Sequence, residues 1–291
     1  MADKVEQADI RGLDVDKIAK GFADVEYVFK QDCQVASMVG DSIRWYRKTA
    51  GGLSVTSPSD IEIAPLATPT TLEVSWTRFT SYPKKYMVEG FISQEDIKSA
   101  DVSVLTTSIG DLTRAVISKV DTAIYDIMTE ATTSGTPNPT DTQTAASTAA
   151  WDAASGQDPI KDILNAQRLI AAQNYNASEA VLYLNPSDYQ SLLVWLITTK
   201  GSSIPGFSSE KVRSGVVLEL LGTRIKVSNN VTADWGLMII PQRACTWRQF
   251  TPTSAVTIVE PMVGTKIRVS EAGIAYVTDP NAIVQISNLA A

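Results

Sequence analysis

The sequence predicts an α+β protein, and three observations carry that expectation. A long helical period runs through residues 94–130. A helix, a short apolar strand and a second helix follow one another across residues 158–196. From residue 244 onward, strand-like segments alternate with turn residues.

The long period comes first in the argument. Ile97, Leu105, Ile109, Leu112, Val116, Val120, Ile124 and Ile127 recur at helical spacing, while Asp111, Arg114, Asp121 and Asp126 fall elsewhere. Ser93 and Asp96 read as a capping box at its start. A continuous helix there would span ~55 Å at ~1.5 Å per residue, the proportions of a spine. Gly110 marks a candidate bend or break.

In the second region, Asp158 is a candidate cap, with Pro159 at the first helical position and Asp162 near the positive end. Ile160, Ile163, Leu164, Ile170 and Ala171 are the expected inward face. Residues 180–184 are apolar and of strand length. Asn185 and Pro186 repeat the cap-plus-proline device, with Tyr189, Leu192, Leu193 and Leu196 expected inward. Residues 200–215 form a long Gly/Ser-rich loop. Residues 216–221 and 224–227 read as a hairpin turning at Gly222 and Thr223. Residues 237–240 and 244–250 return the chain. The segments 255–260, 266–269, 274–277 and 282–286 read as one small, mostly antiparallel sheet, with turns at 261–264 and 279–281.

Earlier in the chain the pattern is weaker. Residues 1–45 show short helical periods at 14–21 and 24–39, neither long enough to be stable alone, so residues 24–45 need a docking surface on their own subunit or a neighbour. Residues 46–92 are hairpin-like, with strand alternation at 53–55, 61–63 and 72–76 and turn clusters at 57–60 and 65–69. Between 51 and 71 there are few bulky apolar side chains, so this stretch is expected to lie across another chain. Residues 131–157 are rich in Thr, Ser and Ala and read as a surface crossover, with Trp151 pinning one end.

Composition narrows the function. The chain has 291 residues, 44% hydrophobic and 20% charged, ordinary for a folded domain with a sizeable core. The mixed charges of its first residues argue against a secretory signal, and its apolar runs are too short to span a membrane. Cys33 and Cys245 stand alone, without metal or redox spacing, and read as buried thiols. A net charge of −7 argues against a protein that grips nucleic acid directly. The chain contains no histidine, which removes His-dependent triads and imidazole-bound metals. No phosphate-binding glycine loop or nucleophile elbow is present. Asp14 with Asp16, or Asp96 with Asp101, could be drawn as carboxylate pairs, but solvated surface charge explains them more simply. No enzyme activity, cofactor or metal is therefore expected.

The segment LNPSDYQSLL, following a helix that ends in AAQNYNASEAV, resembles the axial domain of tailed-phage major capsid proteins. IRWYRK at 43–48, leading into a proline-containing hairpin that returns through KYMVEGFIS at 85–93, resembles that family's extended loop feeding the spine helix. Residues 265–286 are similar to the strands closing its peripheral domain. In order, the resemblance covers about residues 25–288.

The resemblance implies an arm over 1–45, an extended hairpin loop over 46–92, a peripheral domain over 93–135 and 245–291, and an axial domain over 136–244. It implies a shell protein forming hexamers and pentamers of an icosahedral head around double-stranded DNA, assembled in the host cytoplasm with portal and scaffolding proteins. Subunit-interface candidates are Ile61, Ile63, Pro65 and Pro69 in the hairpin, and Glu260, Lys266 and Arg268 in the turn expected near contacts between capsomers. Some family members weld subunits through a Lys-to-Asn isopeptide bond with a nearby Glu as base. Glu271 lies near that Glu's place, but residues 51–71 contain no Lys and 262–264 no Asn. An encapsulin-type compartment, sharing the fold but enclosing an enzyme, is the closest rival.

Overall fold

A helix laid across a four-stranded sheet forms one half of the molecule, and a six-stranded sheet flanked by two helices forms the other. The computed structural model describes residues 19, 27–50, 63–68, 75–95, 103–153, 155–198 and 219–290. The segment 200–215 and most of 1–26 lie outside them.

The chain enters through a single 3-10 turn, Lys30–Asp32, and strand β1, Gln34–Ser37. Strands β2, Ile43–Ala50, and β3, Ser75–Ser81, pair antiparallel as a two-stranded hairpin base. Strand β4, Lys84–Ser93, leads toward helix α1, Ser103–Met128. The four-stranded sheet has the order β1-β10-β11-β4, where β10 is Cys245–Glu260 and β11 is Gly264–Val277. Only β1 runs parallel to its neighbour.

Helix α1 buries Ile109, Val116, Val120 and Ile124 of the stripe its period predicts, with Met128 buried where Ile127 is expected, and it also buries Asp121, which the period places elsewhere. It is continuous through Gly110, so the candidate break does not occur. Packing explains the close approach at Gly90 of β4, where a Cβ would lie 2.7 Å from a Leu112 methyl. The helix ends in a Schellman motif: Glu130 sits at φ 52°, its N–H bonds to the Ile127 carbonyl, and the Ala131 N–H donates to the Asp126 carbonyl at 2.8 Å. The Glu130 carboxylate then accepts from the Thr140 N–H and hydroxyl and from the Asp141 N–H, folding the following loop onto the helix end.

That loop is more ordered than its composition suggests. Strand β5, Gln143–Ala146, pairs parallel with β12, Ile283–Ser287. Trp151 is buried as expected; its indole N–H donates to Asp162 at 2.9 Å, and the Ser147 hydroxyl donates to the same carboxylate at 2.6 Å. Asp162 therefore points inward, which its place near a helix start did not reveal.

The six-stranded sheet has the order β5-β12-β9-β6-β8-β7, with β6 at Val181–Leu184, β7 at Glu219–Leu220, β8 at Thr223–Val227 and β9 at Trp235–Ile239. Helix α2, Pro159–Ala172, is capped by Asp158 as predicted and buries Ile163, Ala166 and Ile170. Leu164 and Ala171, expected inward, are exposed, because the face in contact is set by 163, 166 and 170. Helix α3, Pro186–Thr198, starts at Asn185, whose side chain accepts from the Ser187 N–H and hydroxyl. The hairpin before β8 turns at Leu221 and Gly222, both at positive φ, one residue earlier than expected.

Two expectations are corrected. Residues 283–287 do not close the four-stranded sheet: β12 pairs with β5 and β9 in the other one, and Gln285 is buried there, donating to the Thr129 carbonyl and the Thr142 hydroxyl. Strand periodicity shows which residues alternate and does not show which edge they join. The segments 244–250 and 255–260 also merge into one strand, β10, irregular between Gln249 and Ser254.

Candidate assembly surface

Within residues 27–33, Tyr27, Phe29, Asp32 and Cys33 are interior to the subunit. Phe29 is fully buried, its ring 4.5 Å from that of Tyr183 and 5.6 Å from that of Tyr125. Such burial contributes about 1.5–3 kcal/mol. Asp121 of α1 accepts the backbone N–H groups of Val28 at 2.7 Å and Lys30 at 3.3 Å. Burial raises the Asp121 carboxyl to about 6, against the opposing pull of those backbone donors and of Lys30. Asp32 accepts from the Tyr183 hydroxyl and pairs with Lys226 at 2.5 Å.

Glu271, 0% exposed, accepts from the Tyr27 and Thr253 hydroxyls and pairs with Lys30 at 2.6 Å. Burial, and then this carboxylate, push the Tyr27 hydroxyl well above its ordinary range. Glu271 is thus a clamp on the incoming segment of its own chain. The docking surface expected for residues 24–45 is therefore found on their own subunit: Tyr27, Phe29, Asp32 and Cys33 are buried, whereas Gln34, Val35 and Ser37 are exposed. The helical period read over 24–39 is not realised, since 30–32 form a 3-10 turn and 34–37 strand β1; ring contacts and buried acids place the stretch instead, and the useful signal was the cluster of Tyr27, Phe29 and Cys33.

The opposite, open side of the four-stranded sheet is different. Cross-strand partners share a face, which places Met87, Glu89 and Phe91 of β4 beside Ser270, Arg268 and Lys266 of β11, with Val256 and Ile258 on β10. Two ion pairs cross this face, Lys266 with Glu260 and Arg268 with Glu89. The hydrogen bond it donates to the Glu260 carboxylate raises the Lys266 ammonium above its ordinary value. Around the pairs lie exposed Met87, Phe91 and Val256.

The β10–β11 turn carries Met262 at 91% exposure and φ 64°, with exposed Val263 beside it. The turn is held by the Val263 N–H on the Glu260 carbonyl and by the Gln94 N–H on the Val263 carbonyl. Gly264 is required beside it: a Cβ there would overlap the Ile92 carbonyl oxygen and come within 2.8 Å of the Phe91 ring.

The hairpin base is anchored by Trp45, stacked on Phe79 at 4.5 Å and on Tyr276 of β11 at 4.8 Å, and by Arg47 with Asp141 at 2.5 Å. Farther out, Ile63 and Pro65 are exposed, and Leu66 sits fully exposed in a turn closed by the Ala67 N–H on the Ala64 carbonyl. Ile61 and Pro69 lie outside the described residues, as do Asp14, Asp16, Asp96 and Asp101. Of the interface candidates, the structure brings Glu260, Lys266 and Arg268 together on one face and leaves Ile63 and Pro65 apart from them. Sequence reasoning did not single out Met262 and Val263 as contact residues, although a turn built from Met and Val is itself a signal.

The fold these elements make is that of a phage shell subunit. A phage capsid protein family matches residues 91–286, and the chain belongs to it. The capsid of Cyanophage P-SCSP1u is similar over 90% of this chain and 88% of that one, with a TM-score of 0.65 and 17% identity. A virus-like particle from Pyrococcus furiosus is similar over 94% and 97%, at 0.61 and 11%. Gordonia phage Cozz is similar over 88% and 84%, at 0.61 and 17%. No curated protein matches. The protein is a major capsid protein, a structural subunit of the virion shell that associates with further copies of itself. The match is to phage capsids and does not favour the encapsulin-type compartment.

Proposed function

We propose that the open face of the four-stranded sheet and the hairpin over 46–92 are the surfaces through which copies join into hexamers and pentamers of an icosahedral head around double-stranded DNA. The observation that carries this is the exposed Met262 and Val263 at a turn held by backbone hydrogen bonds beside Gly264, large apolar side chains that none of the described residues covers. Ile61, Ile63, Pro65, Pro69, Glu260, Lys266 and Arg268 belong to the same surfaces. A net charge of −7 supports a wall that encloses DNA without binding its sequence. Portal and scaffolding proteins are the partners this role requires, assembly takes place in the host cytoplasm, and the chain performs no catalytic step of its own.

We divide the chain into an arm before Tyr27, the hairpin, a peripheral unit of α1 with β4, β10 and β11, and an axial unit over 136–244. The pairing of β12 supports moving 283–287 into the axial unit.

Electron microscopy and sedimentation of the expressed chain test this. Wild type should form shells or capsomers. Met262→Glu should leave a subunit with an unchanged unfolding midpoint that forms few closed shells; normal shells from this variant would remove the turn from the interface.

A further inference from the structure

Cys33 and Cys245 are far apart in sequence and adjacent in the fold. Gln34 of β1 stands opposite Thr246 of β10 in a parallel ladder, and the Thr246 hydroxyl lies 3.5 Å from the Gln34 side-chain oxygen, so register partners share a face. One step back, Cys33, in extended backbone at φ −84° and ψ 152°, stands opposite Cys245. Neighbouring strands lie about 4.8 Å apart, inside the range of about 4.4–6.8 Å that Cα atoms of a disulfide span. Both thiols are free and buried. The Cys245 sulfur beside it, together with burial, holds the Cys33 thiol well above its ordinary value. The reduced pair is therefore slow to react while the segment stays docked.

We propose that Cys33 and Cys245 are a covalent modification site, a thiol pair that a small-molecule disulfide converts into an intrachain bond stapling the segment 27–37 to the start of β10. Cys33, deprotonated when the segment opens, attacks the disulfide RSSR, forming a mixed disulfide and releasing one RSH. Cys245 then attacks the Cys33 sulfur and releases the second RSH. Two electrons pass from the protein pair to RSSR, and the two thiol protons leave on the released RSH. The bond closes a loop of roughly 210 residues, which limits the unfolded chain far more than a local link. In a reducing cytoplasm the pair stays reduced; outside it the bond persists. That timing rests on the shell reading, whereas the bond itself does not.

The test treats the purified full chain with oxidised glutathione, with and without urea below the unfolding midpoint so that the segment can open. The expected product loses two hydrogens. It gives a non-reduced digest in which the Cys33 peptide is joined to the Cys245 peptide, and it unfolds on the order of tenfold more slowly. Dithiothreitol should reverse all three changes. Cys33→Ser and Cys245→Ser should each abolish the link; should either fail to fold, the wild-type peptide map decides alone. Glutathione remaining on either cysteine without the joined peptide, a link between two chains, or a linked form that unfolds no more slowly would overturn the proposal.

Discussion

The region around Tyr27, Phe29 and Asp32 and the turn around Met262 treat the same problem in opposite ways. In the first, each carboxylate of a buried cluster finds donors within its own chain: Asp121 the N–H groups of Val28 and Lys30, Asp32 the Tyr183 hydroxyl and Lys226, Glu271 Lys30, Thr253 and Tyr27. In the second, the backbone of the turn is tied down while its apolar side chains face outward. A subunit needs both, because a flexible turn would lose entropy on meeting a neighbour, whereas a held one has already lost it. The contrast separates residues that make the subunit from residues available to join it.

Truncation should break the comparison most visibly. Removing residues 1–24 takes away buried Ala19 but leaves Tyr27, Phe29 and the three carboxylates in place, and should give a cooperatively folding subunit. Removing residues 1–45 uncovers Asp121, Glu271 and the Phe29 cavity, and should abolish a cooperative transition in urea. Phe29→Ala alone should cost about 3–5 kcal/mol. A longer deletion that folds like the shorter one would return the segment to the surface.

Gly264→Ala sharpens the other side. The added methyl meets the Ile92 carbonyl oxygen, part of a paired backbone, so β4 and β11 must separate locally. A loss of about 1–3 kcal/mol is expected from overpacking, with faster amide exchange at Ile92 and Thr265; an unchanged midpoint would show that the turn yields.

The acidic core predicts a smaller, pH-dependent effect. Asp121 and Asp188 are both raised from 3.8 to about 6, chiefly by burial. Because the folded protein holds these protons more tightly than the unfolded chain, their contribution is full below about pH 4 and is lost as pH rises through 6. For Asp121 the change is on the order of 2–3 kcal/mol. The difference in unfolding midpoint between wild type and Asp121→Asn should therefore vary between pH 4 and 7; a constant difference would remove Asp121 as its source.

The smallest effect belongs to the surface pairs. Glu260 and Lys266 pair within one chain. Glu260→Gln should change subunit stability by no more than about 1 kcal/mol. A larger loss by calorimetry would make the pair part of the fold.

Much of this architecture was legible beforehand because it depends on local period. The stripe of α1, the Asp158 and Asn185 caps, β6 and the β10–β11 turn follow from spacing and from residues that satisfy helix ends. What spacing could not express was partnership across the chain. The alternation of 283–287 says strand, but only the ladder with β5 and β9 decides its sheet. Asp162 looks like a surface acid until Trp151 and Ser147 reach it. The helical period of 24–39 did not reveal the place of residues 27–33, which comes from rings, carboxylates and an ammonium supplied by α1, β6, β8 and β11. Sequence by itself determined the elements, because hydrogen bonding and side-chain direction repeat every few residues. Tertiary structure alone decided which edges pair, which acids are buried and which apolar side chains remain uncovered, because those outcomes depend on what the distant chain brings to the same place.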